Sequence, residues 1–160
     1  MAKGDMFLKV EGAKSGAIKG ESIDTARKDE IDVLGWSWGM RAQSDMSGGG
    51  TASKASLREL DVRKTVDSAS TALMSAMRNN EPIKRAVLTV RKAGSQTIDY
   101  LKITIETGRI TSIDVESAGD GSPDLVERLS FSFQKIGVEY VPQGTDGLPR
   151  GTMLFETETL

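Results

Sequence analysis

Serine, lysine and closely spaced carboxylates are the residues of this chain whose spacing most invites a chemical role. Histidine and cysteine are both absent. That excludes Ser-His and Cys-His nucleophilic catalysis. It also excludes metal sites built on imidazole or thiolate. Ser132 and Lys135 match the pattern S-x-x-K. That chemistry needs both groups on one helical face, whereas residues three apart in a strand point opposite ways. Gly12-Ala13-Lys14-Ser15 has the superficial look of a phosphate-binding loop. The Walker pattern requires Gly directly before the Lys, and here Ala13 stands there with no helical pattern after it. Asp114 with Glu116, and Glu156 with Glu158, are same-face carboxylate pairs capable in principle of acid–base work. On a strand carrying mixed charges, a solvated edge explains them better. Trp36 and Trp38 could stack on a ligand, but burial in a core or an interface suits a strand this apolar. No segment has the Asp/Asn spacing of an EF-hand. The expectation is a protein that is not an enzyme and holds no cofactor or transition metal.

The bulk composition points the same way. A chain of 160 residues suits one domain with a sizeable core. Its 38% hydrophobic and 28% charged residues form an ordinary folded balance, and with aromatics at 5% Val, Ile, Leu and Met must fill most of that core. The net charge of −2 comes from Lys and Arg interleaved with Asp and Glu. Nucleic-acid binding normally needs a basic excess or stripe, and none is present. The apolar runs are too short to cross a bilayer as a helix, and the N-terminus lacks the apolar core of a secretory signal. No nucleic-acid partner, membrane insertion or cleaved leader is therefore expected.

Most of the chain shows the two-residue period of strands. Strands are expected over Met6–Val10, Glu30–Trp38, Ser56–Val66, Lys84–Lys92, Ile98–Thr107, Arg109–Ser117 and Glu127–Val141. Gly94 and Gly108 suggest hairpin turns between neighbours. In Glu30–Trp38 both parities are apolar, Ile31 and Val33 on one and Leu34, Trp36 and Trp38 on the other. Such a strand is expected to be covered on both sides. In Glu127–Val141 the apolar phase slips near Gln134-Lys135, which predicts a bulge or sharp bend. The one convincing helix covers about residues 70–80. Asp67, Ser68 and Ser70 can each supply its N-cap, with Ser70 the expected one. Leu73, Met74 and Met77 form its core face, and Asn79-Asn80 before Pro82 ends it. Gln43–Ala55, with Gly48-Gly49-Gly50, is the most loop-like stretch, and is either functional or mobile. After Pro142 the tail is turn-rich and ends in MLFETETL, either a short strand or a flexible end. Many short strands with glycine-rich turns favour a barrel or sandwich.

Three blocks resemble one known family. MFLKVEG…IKGES…KDEIDVLGWSWG is similar to the start of the haemolysin-coregulated proteins (Hcp), the tube subunits of bacterial type VI secretion. TVDSASTALMSAM resembles the family's strand-to-helix segment, with Asp67, Ser70 and Leu73 on the motif. ERLSFSFQKIGVEYVPQGTDG resembles its C-terminal strand through Phe131, Phe133, Lys135, Ile136, Tyr140 and Gln143. Thr71 and Asn79-Asn80 stand where the family often has Pro and Gly, substitutions those positions tolerate.

The resemblance implies a single domain over residues 1–160: a compact antiparallel β-barrel with one flanking helix, to which the turn-rich tail 142–160 adds either a short strand or a flexible end. It implies a homohexameric ring with a central channel. Such rings stack into a tube that a contractile sheath expels behind a VgrG-type spike, and effector proteins can travel inside. Members reach the medium from the cytoplasm without a signal peptide. Two sets of residues then become assembly candidates. Met46, Ser47, Gly48, Gly49, Gly50 and Thr51 would form a ring-stacking loop. Ile31, Val33, Trp36 and Trp38 would form part of the subunit interface, since a closed ring needs two different patches on each copy. Two other roles compete: a carrier ring that mainly holds an effector, and an effector enzyme fused to a tube domain, for which the sequence offers no second domain.

Overall fold

Among the described residues, the alternation of apolar and polar residues is realised as ten strands and one helix. The computed structural model describes residues 5–42, 55–92, 98–143 and 150–159. The elements in chain order are β1 (Met6–Gly12), β2 (Gly16–Ile18), β3 (Ile31–Ser37), β4 (Met40–Arg41), β5 (Ser56–Leu57), β6 (Leu60–Thr65), α1 (Ser70–Arg78), β7 (Ile83–Lys92), β8 (Ile98–Ser117), β9 (Leu125–Tyr140) and β10 (Met153–Glu158). Six strands close on themselves in the order β9-β6-β3-β1-β7-β8, with β8 pairing back onto β9. Every pairing is antiparallel. The expected barrel with one flanking helix is therefore the observed architecture. Closure removes edges from the ring, but β10 adds to β9 beyond it.

The barrel interior is filled by inward-phase residues of all six strands. Leu8, Val10, Ile31, Leu60, Leu88, Ile105, Phe131 and Ile136 are among its fully buried members. Mostly aliphatic packing is what the low aromatic content required.

Three local features differ from or refine the sequence expectations. β8 is one strand of 20 residues, not two strands joined by a turn at Gly108. Gly108 is instead a point of close approach, where a Cβ would lie 2.2 Å from the Ser132 carbonyl. Beside it Thr107 adopts φ 54°. The β8–β9 ladder passes over Thr107 and Gln134, and the inward parity changes there in both strands: Ile105 and Ile136 on one side, Ile110 and Phe131 on the other. The slip seen in the β9 sequence is thus a bend shared by the whole hairpin. In β3 the ladder to β6 shifts between Val33 and Gly35. Leu34 becomes the extra residue of a bulge, and Trp36 returns to the inward face opposite Val62.

The helix ends as its sequence dictates. Glu81 N–H donates to the Ala76 carbonyl at 2.8 Å and Asn80 N–H to that of Met77 at 3.0 Å. This double closure needs a left-handed residue, supplied by Asn80 at φ 55°.

Candidate assembly surfaces

The expected interface on β3 is largely internal. Ile31 and Val33 are 0% and 2% exposed, packed in the subunit's own core, so neither can meet a neighbour. The Leu34 bulge places Trp36 on the same side as Ile31 instead of opposite. Trp36 and Trp38 are half-buried against the core. The Trp38 indole N–H donates to the Arg58 carbonyl at 2.9 Å. Only Leu34 remains as an exposed large apolar residue of β3. The stacking-loop residues Met46 to Thr51 lie outside the described residues. In sequence they fall between β4 and β5, which pair with each other.

The helix also departs from expectation. Leu73 is fully buried, but its buried companions are Ala69 and Ala76. Met74 and Met77 are each 37% exposed. The turns of α1 bring residues three apart inward, and the two methionines fall on its flank. Ser70 is not the cap. Its backbone is already helical, and Asp67 accepts the Ala69 N–H at 3.0 Å instead. The buried Ser70 hydroxyl bonds the Lys64 ammonium at 3.1 Å and accepts the Asp67 N–H at 2.9 Å.

Lys64 is the centre of a cluster not anticipated from the sequence. Its ammonium is 2.9 Å from Asp67 and 3.2 Å from Glu127, and the side chains of Lys64 and Glu127 are 0% exposed. Lys64 and Glu127 face each other directly across the β6–β9 ladder. The signal was present. Lys64 continues the inward phase of Leu60 and Val62, and Glu127 that of Leu129 and Phe131. A buried charge survives only when paired and hydrogen-bonded. The cluster therefore ties the start of α1 to both strands beneath it.

The loop that superficially resembled a phosphate site does bind an anion, but an internal one. The Lys14 and Ser15 amides donate to Glu81 at 2.9 and 2.8 Å, and the Ser15 hydroxyl donates at 2.9 Å. The Ser15 and Lys14 amides hold the Glu81 carboxyl below its ordinary value of 4.5. A Cβ at Gly12 would lie 2.3 Å from the carboxylate oxygen, so a larger residue there would push the carboxylate away from its donors.

Two apolar surfaces stay uncovered. The first is β10. Met153, Leu154 and Phe155 are 63%, 57% and 41% exposed, and Tyr140 opposite Met153 is 45% exposed. Met153 and Phe155 share one face and Leu154 the other, so the strand is bare on both sides. The second is an open groove of about 520 Å³ between α1 and the outer half of β8, lined by Met74, Met77, Arg78, Ile113 and Val115. Single exposed apolar residues are ordinary, whereas contiguous ones mark contacts. The first surface adjoins the Gln134–Tyr140 half of β9, and the second the opposite half, where Ile113 and Val115 pair with Leu129 and Glu127. They cannot meet within one subunit.

Among the described residues, no three His, Cys, Asp or Glu side chains are grouped to hold a metal ion. No described helix is long and apolar enough to cross a membrane. What the geometry offers is surface.

The model of the type VI secretion system effector Hcp family matches residues 7–140. The protein Hcp1 of Pseudomonas aeruginosa is 37% identical over 150 residues, covering 92% of this chain and 89% of the relative. Hcp1 from Salmonella typhimurium has a similar structure, with TM-score 0.76 and 32% identity over 96% of this chain and 93% of that one. A type VI secretion effector from Yersinia pestis gives TM-score 0.76 at 30% identity, covering 97% and 100%. A match spanning the whole barrel, with the same fold in relatives, places this chain in the Hcp family of type VI secretion proteins.

Proposed function

We propose that this protein is the structural subunit of a type VI inner tube, forming hexameric rings that stack and are expelled behind a VgrG-type spike by a contractile sheath. The observation that carries the reading is the pair of apolar surfaces at opposite ends of one barrel. A contact between two different patches propagates from copy to copy and ends only when the rotation closes a ring. The small net charge of −2 supports it, since copies with little charge repel one another weakly. The protein resides in the cytoplasm before firing and outside the cell afterwards. The channel carries effector proteins. The segment Met46–Thr51, which falls between β4 and β5 in sequence, reaches the next ring. Each such contact is weak, because ordering a glycine-rich loop costs about 1–2 kcal/mol per residue; six acting together are not.

Electron microscopy and native mass spectrometry of the purified protein test this. The expected result is a dominant hexamer with an open centre, stacking at high concentration. A monomer at all concentrations would overturn the proposal. Shortening Met46–Thr51 is expected to leave rings intact while abolishing stacks and secretion; normal stacks and secretion would remove the loop's role.

A further inference from the structure

Resting on the ring reading, we infer that the contact between neighbouring copies is made head to tail: β10 of one copy lies against the α1–β8 groove of the next. A second copy is the occupant that best fits both surfaces.

The first reason is strand chemistry. β10 pairs with β9 along one edge only, and among the described residues its other edge has no strand partner. β8 beyond Gly108 is in the same condition, pairing with β9 but not with β7. A strand bare on both faces and one edge is an aggregation liability unless something covers it.

The second reason is charge. β10 carries Glu156 and Glu158, neither with a cationic partner among the described residues. The groove side carries Arg78 at its wall and Arg109 at the helix end, where Arg109 donates to the Asn80 carbonyl at 2.8 Å. Neither arginine has a carboxylate partner among the described residues. Glu156 and Glu158 lie on the Leu154 face of β10, opposite Phe155, so their charge acts on the approach to the basic-rimmed groove and not on the Phe155 contact itself.

The third reason is position. The two surfaces adjoin opposite halves of β9, so the same contact can repeat around a ring without occluding itself.

The cysteine-free chain makes the test clean. Single variants Met77→Cys and Phe155→Cys are prepared as isolated rings and treated with a short bis-maleimide. Both positions are partly exposed, so the fold is expected to persist, as circular dichroism would verify. Each single variant alone is expected to stay monomeric on denaturing gels. Rings co-assembled from the two single variants are expected to give covalent dimers and nothing larger. The double variant is expected to give a ladder ending at six. Dimers from either single variant alone would mean a self-paired contact and overturn the inference. So would rings in which residues 77 and 155 of different copies never bridge. Absence of rings in the unmodified protein would instead remove the tube reading beneath it, so the two failures are distinguishable.

Discussion

β3 and β10 look alike in sequence and end in opposite circumstances. Each is a short strand with apolar residues on both parities. In β3 one bulge at Leu34 turns Ile31, Val33, Trp36 and Trp38 toward a single side, where Ile31 and Val33 are buried in the subunit's own core and the two tryptophans are partly buried against it. In β10 no register shift occurs along its six pairs with β9, and Met153, Leu154 and Phe155 stay exposed on both faces. Apolarity on both parities therefore has two physical causes. A parity switch resolves it internally; a missing partner does not.

The largest expected effect tests how firmly the interior side of this contrast is built. Lys64→Ala leaves Glu127 buried and unpaired, and is expected to destabilise the subunit by about 3–5 kcal/mol. Denaturant melts of the variant check this; a shift no larger than that of a surface control would mean the cluster is solvated. Next comes the contrast itself. Ile31→Ala is expected to cost about 2–5 kcal/mol through the cavity it opens. Phe155→Ser, measured on the monomer, is expected to change stability by no more than about 0.5 kcal/mol, as for exposed positions. Comparable losses at both sites would erase the distinction.

The sequence made the barrel and the helix legible because period-two strands and a single period-3.6 segment are strong, local signals. The bend in β9 was visible for the same reason: Phe131, Phe133, Ile136 and Val138 cannot share a face without one. The bulge at Leu34 was not visible, because one inserted residue mimics a second apolar face. Met74 and Met77 were misassigned because the alanines at 69 and 76 carry as much of the helix's buried face as the larger residues, and small side chains give a weak periodic signal. The Lys64–Glu127 pair was legible in phase but overlooked, since charged residues are usually assigned outward. The groove is a meeting of α1 with β8, some 40 positions apart in sequence, which no local pattern encodes.

The smallest expected effect is pH-dependent. The Glu81 carboxyl is held below its ordinary 4.5 by the Lys14 and Ser15 amides. A lowered folded-state value means stability present in full above the unfolded carboxylate range and lost as pH falls through the folded value. Glu81→Gln is accordingly expected to melt earlier than the parent protein near neutral pH, with the gap narrowing under acid. A gap that is constant with pH would assign the effect to packing around Gly12 instead of charge.

On the proposed contact, assembly runs through β10 and not through β3. Native mass spectrometry of Phe155→Glu beside Leu34→Glu tests it most directly, since each places one carboxylate at an exposed apolar position, 41% and 45% exposed respectively. Leu34→Glu is expected to keep the hexamer and Phe155→Glu to yield folded monomers. A hexamer from Phe155→Glu with monomers from Leu34→Glu would contradict it.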